Sequence, residues 1–476
     1  MAEHQVDLLV IGAGASGSSV AYEATRRGLS VAVLEAGDIG GGTSCRSTKL
    51  LHGGVRYLEL AFKTLDLAQL NLVREALLER GHWLDQAPFL AHRLELALPT
   101  QKLWEQGYYR VGLGLYDALA GRRGIGQSRM LSRQQLEQAL PLLQACQGAV
   151  AYSDGQFDDA RLNLLLARTA EQRGAQLRTR CRVIGLEHNS SGRITAAISE
   201  NAAGVQEHWQ ASAIVNATGI HADAIRVMAD PDAAPRMLTS RGAHIVLEED
   251  LCPGGLGLLV PSTSDGRVLF MLPFHGRTLV GTTDEPCNSS DAAQPSPAEE
   301  TYLLNYVREW FPKLKHPTVT SSWAGGRPLL KPAGDNLSSS RVVREHEVET
   351  LPCGLVSVMG GKWTTCRPMA LDTLMAVEQQ LGRPLPPPDP LPLIGASTSG
   401  TATLTALAEQ RQTLMSLLPN TTLQNAQIAH LQGSHGLQAA PVIATAPPED
   451  REPLSSVIPV CRAELQWAIT AEHARS

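Results

Sequence analysis

Residues 6–35 read VDLLVIGAGASGSSVAYEATRRGLSVAVLE. Asp7 to Ile11 is a short apolar run suited to a buried parallel strand, and Gly12-Ala13-Gly14-Ala15-Ser16-Gly17 follows it at once as G-x-G-x-x-G. Gly12 permits a tight turn, Gly14 lets backbone approach a pyrophosphate, and Gly17 lets a helix lie close against the strand. The unpaired amides of the first helical turn, at the positive end of the helix dipole, suit phosphate. Gly28 closes the helix, and Val31 to Leu34 forms a second buried strand that delivers Glu35 at its carboxyl end. An acid there accepts hydrogen bonds from ribose hydroxyls and repels a 2′-phosphate. The stretch therefore implies an adenine dinucleotide; FAD and NAD remain alternatives at this point.

The rest of the composition narrows the class. A chain of 476 residues is long enough for two or three domains. A net charge of −6 without a basic cluster disfavours nucleic acid as a partner, because phosphate-backbone binding needs concentrated Lys and Arg. The eight cysteines are scattered, with no C-x-x-C and no His cluster at ligand spacing, so no metal site is expected. The N-terminus shows no basic and apolar leader, and no apolar run approaches the ~20 residues of a membrane span. A cytoplasmic location is expected, with any membrane contact peripheral, on the inner face of the cytoplasmic membrane.

Outward from Glu35, Gly37 to Gly54 is rich in glycine and hydroxyls. Thr43, Ser44, Ser47 and Thr48 supply groups for phosphate or ring oxygens, and His52, Arg56 and Tyr57 follow within one short segment. Phe62 to Asp85 has helical apolar spacing, Arg93 to Leu98 alternates like a strand, and Trp104 to Ala120 is helical. Ser132 with Gln135 makes a capping box for a short helix ending before Pro141. Ala149 to Ser153, a helix from Asp159 stopped by Gly174, and strands around 177–187 and 194–199 restore α/β alternation. Ala213 to Asn216 is another buried strand, ending in Ala217-Thr218-Gly219 beside the cofactor.

Between Arg241 and Asp284 the strand-like runs HIVLEE, LGLLVPS, VLFMLPF and TLVGTTD predict a mostly antiparallel sheet, the wall of a substrate cavity between domains. Arg327 follows in WAGGRPL, Arg341 and Arg344 lie in a loop, and Gly360-Gly361-Lys362-Trp363-Thr364 forms a second glycine turn between strand and helix. PLPPPDPLP, 384–392, reads as a stiff linker. Beyond it the helical tail is expected to serve packing or homo-oligomer assembly.

The predicted fold class is α/β: a Rossmann-like FAD-binding domain, a mostly antiparallel β-sheet substrate domain and a C-terminal helical segment. The expected division is 1–90 with 145–235 and 350–382 for the FAD-binding domain, 91–144 with 236–349 for the substrate domain, and 383–476 for linker and helical segment.

Three stretches, IGAGASGSSVAYEATRRGLSVAVLEAGDIGGGTSCRSTKLLHGGVRYLE, MLPFHGRTLVGTTD and SVMGGKWTTCRPMA, resemble the FAD-dependent glycerol-3-phosphate dehydrogenases, within the wider fold group that includes D-amino-acid and glycine oxidases. RSTKLLHGGVRYLE is the most specific part, and the resemblance runs from Val6 to about Gly382. It implies non-covalent FAD, oxidation of sn-glycerol 3-phosphate to dihydroxyacetone phosphate, and electron delivery to membrane quinone; an oxidase branch uses oxygen. Amine or amino-acid oxidation, and a non-catalytic flavin-binding module, are the alternatives.

The substrate-binding groups implied are Arg56, Tyr57, Arg327, Arg341, Arg344 and Lys362, a set of cations suited to a phosphomonoester dianion. The catalytic residues expected are His52, Arg327 and Lys362, with His52 as the base because its ordinary pKa of ~6.5 suits proton acceptance near neutrality. The expected cofactor set is Gly12, Gly14, Ala15, Ser16, Gly17, Glu35, Ala36, Thr43, Ser44, Ser47, Thr48, Leu50, His52, Gly53, Val183, Ala217, Thr218, Gly219, Gly361, Lys362 and Thr364.

Overall fold

The apolar run after Gln5 forms strand Ala2–Ile11, which lies between two parallel neighbours, Val31–Leu34 and Gln206–Asn216. A computed structural model describes residues 2–54, 67–331 and 346–474 of the chain. Its first sheet continues outward in parallel register to Val356–Gly360 on one side and Gln176–Arg178 on the other. His346–Thr350 adds an antiparallel edge, and Cys181–His188 with Ile194–Asn201 forms a hairpin paired to Gln206–Asn216. Helices Ala15–Thr25, Asp159–Gln172 and Cys366–Leu381 cover one face, where Val20, Ala21, Ala24, Ala167 and Leu374 pack on Leu8, Val10 and Val33. Strands buried on both faces read as continuous apolar runs, which is why this half of the fold is visible in the sequence.

The second sheet is mostly antiparallel, as predicted. Met237–Leu247 pairs with Val319–Leu330 and Arg277–Gly281; the order then runs through Leu269–Phe274, Leu256–Val260, Ala91–Thr100 and Gly148–Phe157 to Leu50–Leu51. Its two faces bury separate clusters, one with Trp310 and Phe311, the other with Leu77, Leu96, Tyr116 and Tyr152.

Three sequence readings differ from what is observed. Gly148–Phe157, placed at sequence level with the FAD-binding unit, belongs to the second sheet, and His346–Thr350, placed with the substrate unit, edges the first. In both cases partners distant in the chain decide membership. PLPPPDPLP is not a free linker: the Tyr22 hydroxyl donates to the Leu391 carbonyl at 2.5 Å, the Asp389 amide donates to the Arg26 carbonyl at 2.8 Å, and Leu393 is buried beside Trp83. The stretch is a strap along the first helix. After it, helices Gly400–Leu417, Gln424–His435 and Arg462–Ala471 enclose a small core of their own. No helix among the described residues is long and apolar enough to cross a membrane.

Candidate active site

The glycine turn at the end of the first strand is held by contacts that leave no room for side chains. Gly12 has φ +102°, and a Cβ there would lie 2.7 Å from the Ala217 carbonyl oxygen. At Gly17 a Cβ would come within 1.9 Å of the Gly12 carbonyl oxygen, so helix and turn touch through backbone. Gly14 differs: its Cβ would meet only the Ser44 hydroxyl, at 3.1 Å. Glu35 spans the turn, accepting from the Ala13 amide at 2.8 Å and the Gly37 amide at 2.7 Å. A carboxylate has about four acceptor sites, so these bonds leave capacity for ribose hydroxyls.

The loop after Glu35 forms the cavity floor, and buried side chains from a distant helix hold it. Asn163 Nδ2 donates to the Ala13 carbonyl at 2.9 Å, and the Gly40 amide donates to the same oxygen at 3.0 Å. Asp159 accepts from the Ser47 amide and hydroxyl at 3.0 and 2.6 Å, and from Lys49 at 2.5 Å. Ser44 Oγ accepts from the Ala15 amide at 2.9 Å, and its carbonyl takes the Trp363 indole N–H at 3.0 Å. Thr43 donates to the Gly326 carbonyl at 2.6 Å, and Thr48 meets His244 Nε2 at 2.9 Å. The hydroxyls of Thr43, Ser47 and Thr48, expected to meet the cofactor, are thus engaged with protein. These residues still line the cavity.

The second sheet supplies the opposite wall. Strand register places Arg327 across from Ser240, and its Nη2 donates to Thr282 Oγ1 and the Thr283 carbonyl, both at 2.8 Å. Asp284 lies 3.3 Å from Arg327 and 3.1 Å from Arg267, and also accepts from Ser240. Two guanidiniums therefore share one buried carboxylate at the cavity edge. His244 is buried, and this burial, with Arg327 and Lys49 nearby, pushes its imidazole down to about 3, so it is neutral near pH 7. Gly360 and Gly361 take φ of +75° and +79°; at Gly361 a Cβ would collide with the Met369 sulfur. The turn carries Lys362 and Thr364 into the same cavity.

That cavity is continuous, about 2230 Å³ in volume, and runs from Glu35, Ala36 and Val183 past Gly12, Gly14 and Ser16 to His52, Arg327 and Lys362. It exceeds the ~300–1,000 Å³ of an ordinary small-molecule site, leaving room for a dinucleotide and a substrate together. Residues 7–370 match the family model described as "FAD dependent oxidoreductase". The chain belongs to the FAD-dependent oxidoreductase family.

Among curated relatives it is 40% identical over 385 residues to the probable mitochondrial glycerol-3-phosphate dehydrogenase of Caenorhabditis elegans, covering 79% of this chain and 53% of that protein. It is 40% identical over 383 residues to the human mitochondrial glycerol-3-phosphate dehydrogenase, covering 78% and 52%. The chain thus spans about half the length of these relatives. With the mitochondrial glycerol-3-phosphate dehydrogenase of Arabidopsis thaliana identity is 37% over 494 aligned residues, covering all of this chain and 78% of that one. Among solved structures, the glycerol-3-phosphate dehydrogenase from Bacillus halodurans complexed with FAD aligns at a TM-score of 0.76 and 25% identity, covering 99% of this chain and 84% of that one. The resemblance expected to end near Gly382 therefore continues, at the level of fold, through the C-terminal helices.

The cofactor of this FAD-dependent family fits the residues present. Glycine backbone at 12 and 14 faces the cavity at a helix N-terminus, and Glu35 stands at the end of the second strand, where the ribose of a dinucleotide belongs. Of the cofactor set expected from sequence, all but Gly17 and Gly53 line the cavity. Gly17 acts through helix packing, as above. The Gly53 amide instead donates to the Tyr116 hydroxyl at 2.8 Å, because the turn there is folded onto helix Leu103–Ala120. Arg56, Tyr57, Arg341 and Arg344 lie outside the described residues.

Sequence reasoning missed Asn163, Asp159, His244, Arg267, Asp284 and Tyr116. Asn163, Asp159, His244 and Tyr116 are isolated polar residues in otherwise ordinary helices or strands, and Arg267 and Asp284 lie in connections between strands. The only local signal was MLPFHGRTLVGTTD, whose last residue is Asp284.

Proposed function

We propose that this protein oxidises sn-glycerol 3-phosphate to dihydroxyacetone phosphate and passes the electrons to a membrane quinone. The observation that carries the reading is the meeting, in one cavity, of a dinucleotide-binding turn with Arg267 and Arg327 from the second sheet's side and Lys362 from the turn after Val356–Gly360. A phosphomonoester dianion needs several cations, whereas a carboxylate substrate needs about one arginine. The names of the relatives agree with this reading. Fold likeness to glycine oxidase, at 20% identity and a TM-score of 0.55, speaks for shared architecture alone.

FAD, when bound, supplies the acceptor for the hydride leaving C2 of the substrate. The chain's own residues supply position and charge. Arg327, Arg267 and Lys362 hold the phosphate and turn C2 toward the cofactor, and Asp284 fixes the two guanidiniums so that they need not reorganise as the substrate arrives. His52, set against Phe270 with ring centroids 6.2 Å apart, takes the proton of the C2 hydroxyl as the hydride departs. Helix Leu103–Ala120 exposes Trp104, Tyr108 and Val111 along one line, and Tyr108 and Val111 also line the cavity. Such a line of apolar side chains suits a lipid surface or a quinone ring, consistent with a peripheral site on the inner face of the cytoplasmic membrane.

The test is anaerobic addition of glycerol 3-phosphate to the yellow holoprotein, with glycine, D-amino acids and secondary amines as comparison. Bleaching of the flavin band by the phosphate alone is expected. Bleaching by an amine and not by the phosphate overturns the reading.

A further inference from the structure

His52 lies in the stretch 52–54, which is in no helix or strand itself and follows directly on strand Leu50–Leu51. A hydrogen bond of unusual setting ties this segment to the core. Its central amide, Gly53 N–H, donates to the hydroxyl of Tyr116 at 2.8 Å, and that hydroxyl donates its own hydrogen to Asp154 Oδ1 at 2.8 Å. Arg80 donates to the same carboxylate oxygen at 2.7 Å and to the Ser153 carbonyl at 2.9 Å, with its guanidinium 5.7 Å from the centre of the Tyr116 ring. Tyr116 is 0%, Asp154 1% and Arg80 2% exposed, so all three members are buried. Three elements converge here: Arg80 from helix Leu67–Gln86, Tyr116 from helix Leu103–Ala120 and Asp154 from strand Gly148–Phe157.

Direction in this chain is fixed by chemistry. Asp154 and the carbonyl only accept, Arg80 and the amide only donate, so the tyrosine hydroxyl must point its hydrogen at Asp154 and its lone pair at Gly53. A buried, charge-assisted chain of this kind polarises each member and resists rearrangement. Burial foremost, together with Asp154, pushes the Tyr116 phenol well above its ordinary range, so the hydroxyl keeps its hydrogen at every working pH. The space around Gly53 is closed as well: a Cβ there would sit 2.7 Å from Leu77 and 2.8 Å from the Tyr116 oxygen.

We propose that Tyr116, fixed by Asp154 and Arg80, is the positioning residue for the His52-bearing turn, setting the imidazole against the substrate side of the cavity. The inference rests on the reaction proposed above. A turn free to drift by about 1 Å loses on the order of 100-fold in rate even when its side chain is intact.

Tyr116→Phe removes one oxygen and little else. In anaerobic rapid mixing with glycerol 3-phosphate, the limiting rate of flavin bleaching should fall about 10- to 100-fold. Substrate dissociation constant and FAD content should stay within about 2-fold of the parent, well under the ~10-fold that loss of a direct contact costs. Hydrogen exchange of the peptide spanning residues 50–54 should accelerate in the same variant. Gly53→Ala, whose methyl would press on the same hydroxyl and on the Leu77 side chain, should give the same split and serves if Tyr116→Phe does not fold.

An unchanged limiting rate in a variant whose parent is bleached overturns the proposal. So does a proportionate loss of FAD, substrate affinity and rate, which is the signature of a merely structural tyrosine. If the parent itself is not bleached by glycerol 3-phosphate, the reaction reading has failed; exchange at 50–54 then decides the anchor, and unchanged exchange overturns it.

Discussion

The three glycines of the cofactor turn should separate when each is replaced by alanine, because their surroundings differ. At Gly17 the new methyl would lie 1.9 Å from a backbone oxygen, which no rotamer can relieve, so the first helix must shift by about 1 Å to restore contact distance. At Gly12 the clash with the Ala217 carbonyl at 2.7 Å adds to a φ of +102°, a region that costs an L-residue about 1–3 kcal/mol. Overpacking of this kind costs about 1–3 kcal/mol and more when the obstruction is rigid, so Gly12→Ala and Gly17→Ala should each destabilise even the FAD-free protein by about 3 kcal/mol or more. Gly14 has φ −73°, an ordinary value, and its methyl would meet only the movable Ser44 hydroxyl at 3.1 Å. Gly14→Ala should therefore leave the FAD-free protein within about 1 kcal/mol of the parent, the usual span of an N-cap change from glycine. It should weaken FAD binding, since the methyl points into the space the pyrophosphate needs. Denaturant titration of the FAD-free proteins by circular dichroism gives the first quantity, and titration with FAD followed by flavin fluorescence gives the second. Equal destabilisation of all three apoproteins, or a Gly17→Ala protein as stable as the parent, refutes the reasoning.

Arg327→Lys removes the donors that Thr282 and the Thr283 carbonyl share as well as the planar fork, so substrate affinity should fall about 10- to 100-fold, the worth of one charge-assisted contact of ~1.5–3 kcal/mol. Unchanged affinity in a folded, fully yellow protein, measured by rapid mixing, removes Arg327 from the site. Replacing Trp104, Tyr108 and Val111 together with serine should leave bleaching by glycerol 3-phosphate intact while lowering both co-sedimentation with lipid vesicles and electron transfer to vesicle-borne quinone; equal transfer rates count against the membrane-facing assignment. The C-terminal segment should respond to pH in both directions. Burial opposes ionisation of Glu464 and Glu472, but hydrogen bonds from His430 and His435 to the first, and from His435 and Arg161 to the second, outweigh it and hold both at about 2. Their contribution is present above an unfolded value of ~4.3 and is lost as pH falls toward 2. Burial likewise opposes protonation of His435, and its two glutamate partners raise it above the ordinary value, so its contribution is full below ~6.5 and lost as pH rises through the raised value. Limited proteolysis of the C-terminal helices should be slowest between about pH 4.3 and 6.5; a rate independent of pH contradicts the assignment.

The first sheet was legible because its strands are buried on both faces and its turns need glycine, so both periodicity and composition mark them. The cofactor turn, Glu35 and the second glycine pair were readable for the same reason: a positive φ or a close backbone approach leaves glycine as the residue that fits. Sheet membership was harder to read. Gly148–Phe157 looks like any apolar strand, and only its ten-residue register with Ala91–Thr100 assigns it to the second sheet. PLPPPDPLP has the composition of a linker because proline cannot join a helix or a ladder; its carbonyls remain good acceptors, and Tyr22 and Arg26 use them. The polar residues around the cavity were the least legible. Asn163, Asp159 and Asp284 have no spacing relative to the glycine motifs, since a helix or a hairpin from elsewhere brings each one in.

Helix Asp159–Gln172 shows how such distant parts act on one site. Its N-terminal turn faces the cofactor loop, with Asp159 and Asn163 both fully buried and bonded to Ser47, Lys49 and the Ala13 carbonyl. Between them in sequence, Arg161 points the other way. It grips Glu472 with two bonds of 2.7 and 2.8 Å and the Ser434 carbonyl at 3.0 Å. Bidentate pairing fixes the guanidinium in plane as well as in position. Residues two apart on a helix face in different directions, so one turn of this helix can hold the C-terminal segment on one side and the cofactor loop on the other. The C-terminal helices, expected from sequence to serve packing or assembly, thus brace the element that holds the floor of the active site, and a strap of proline carries the chain across the first helix to reach that position.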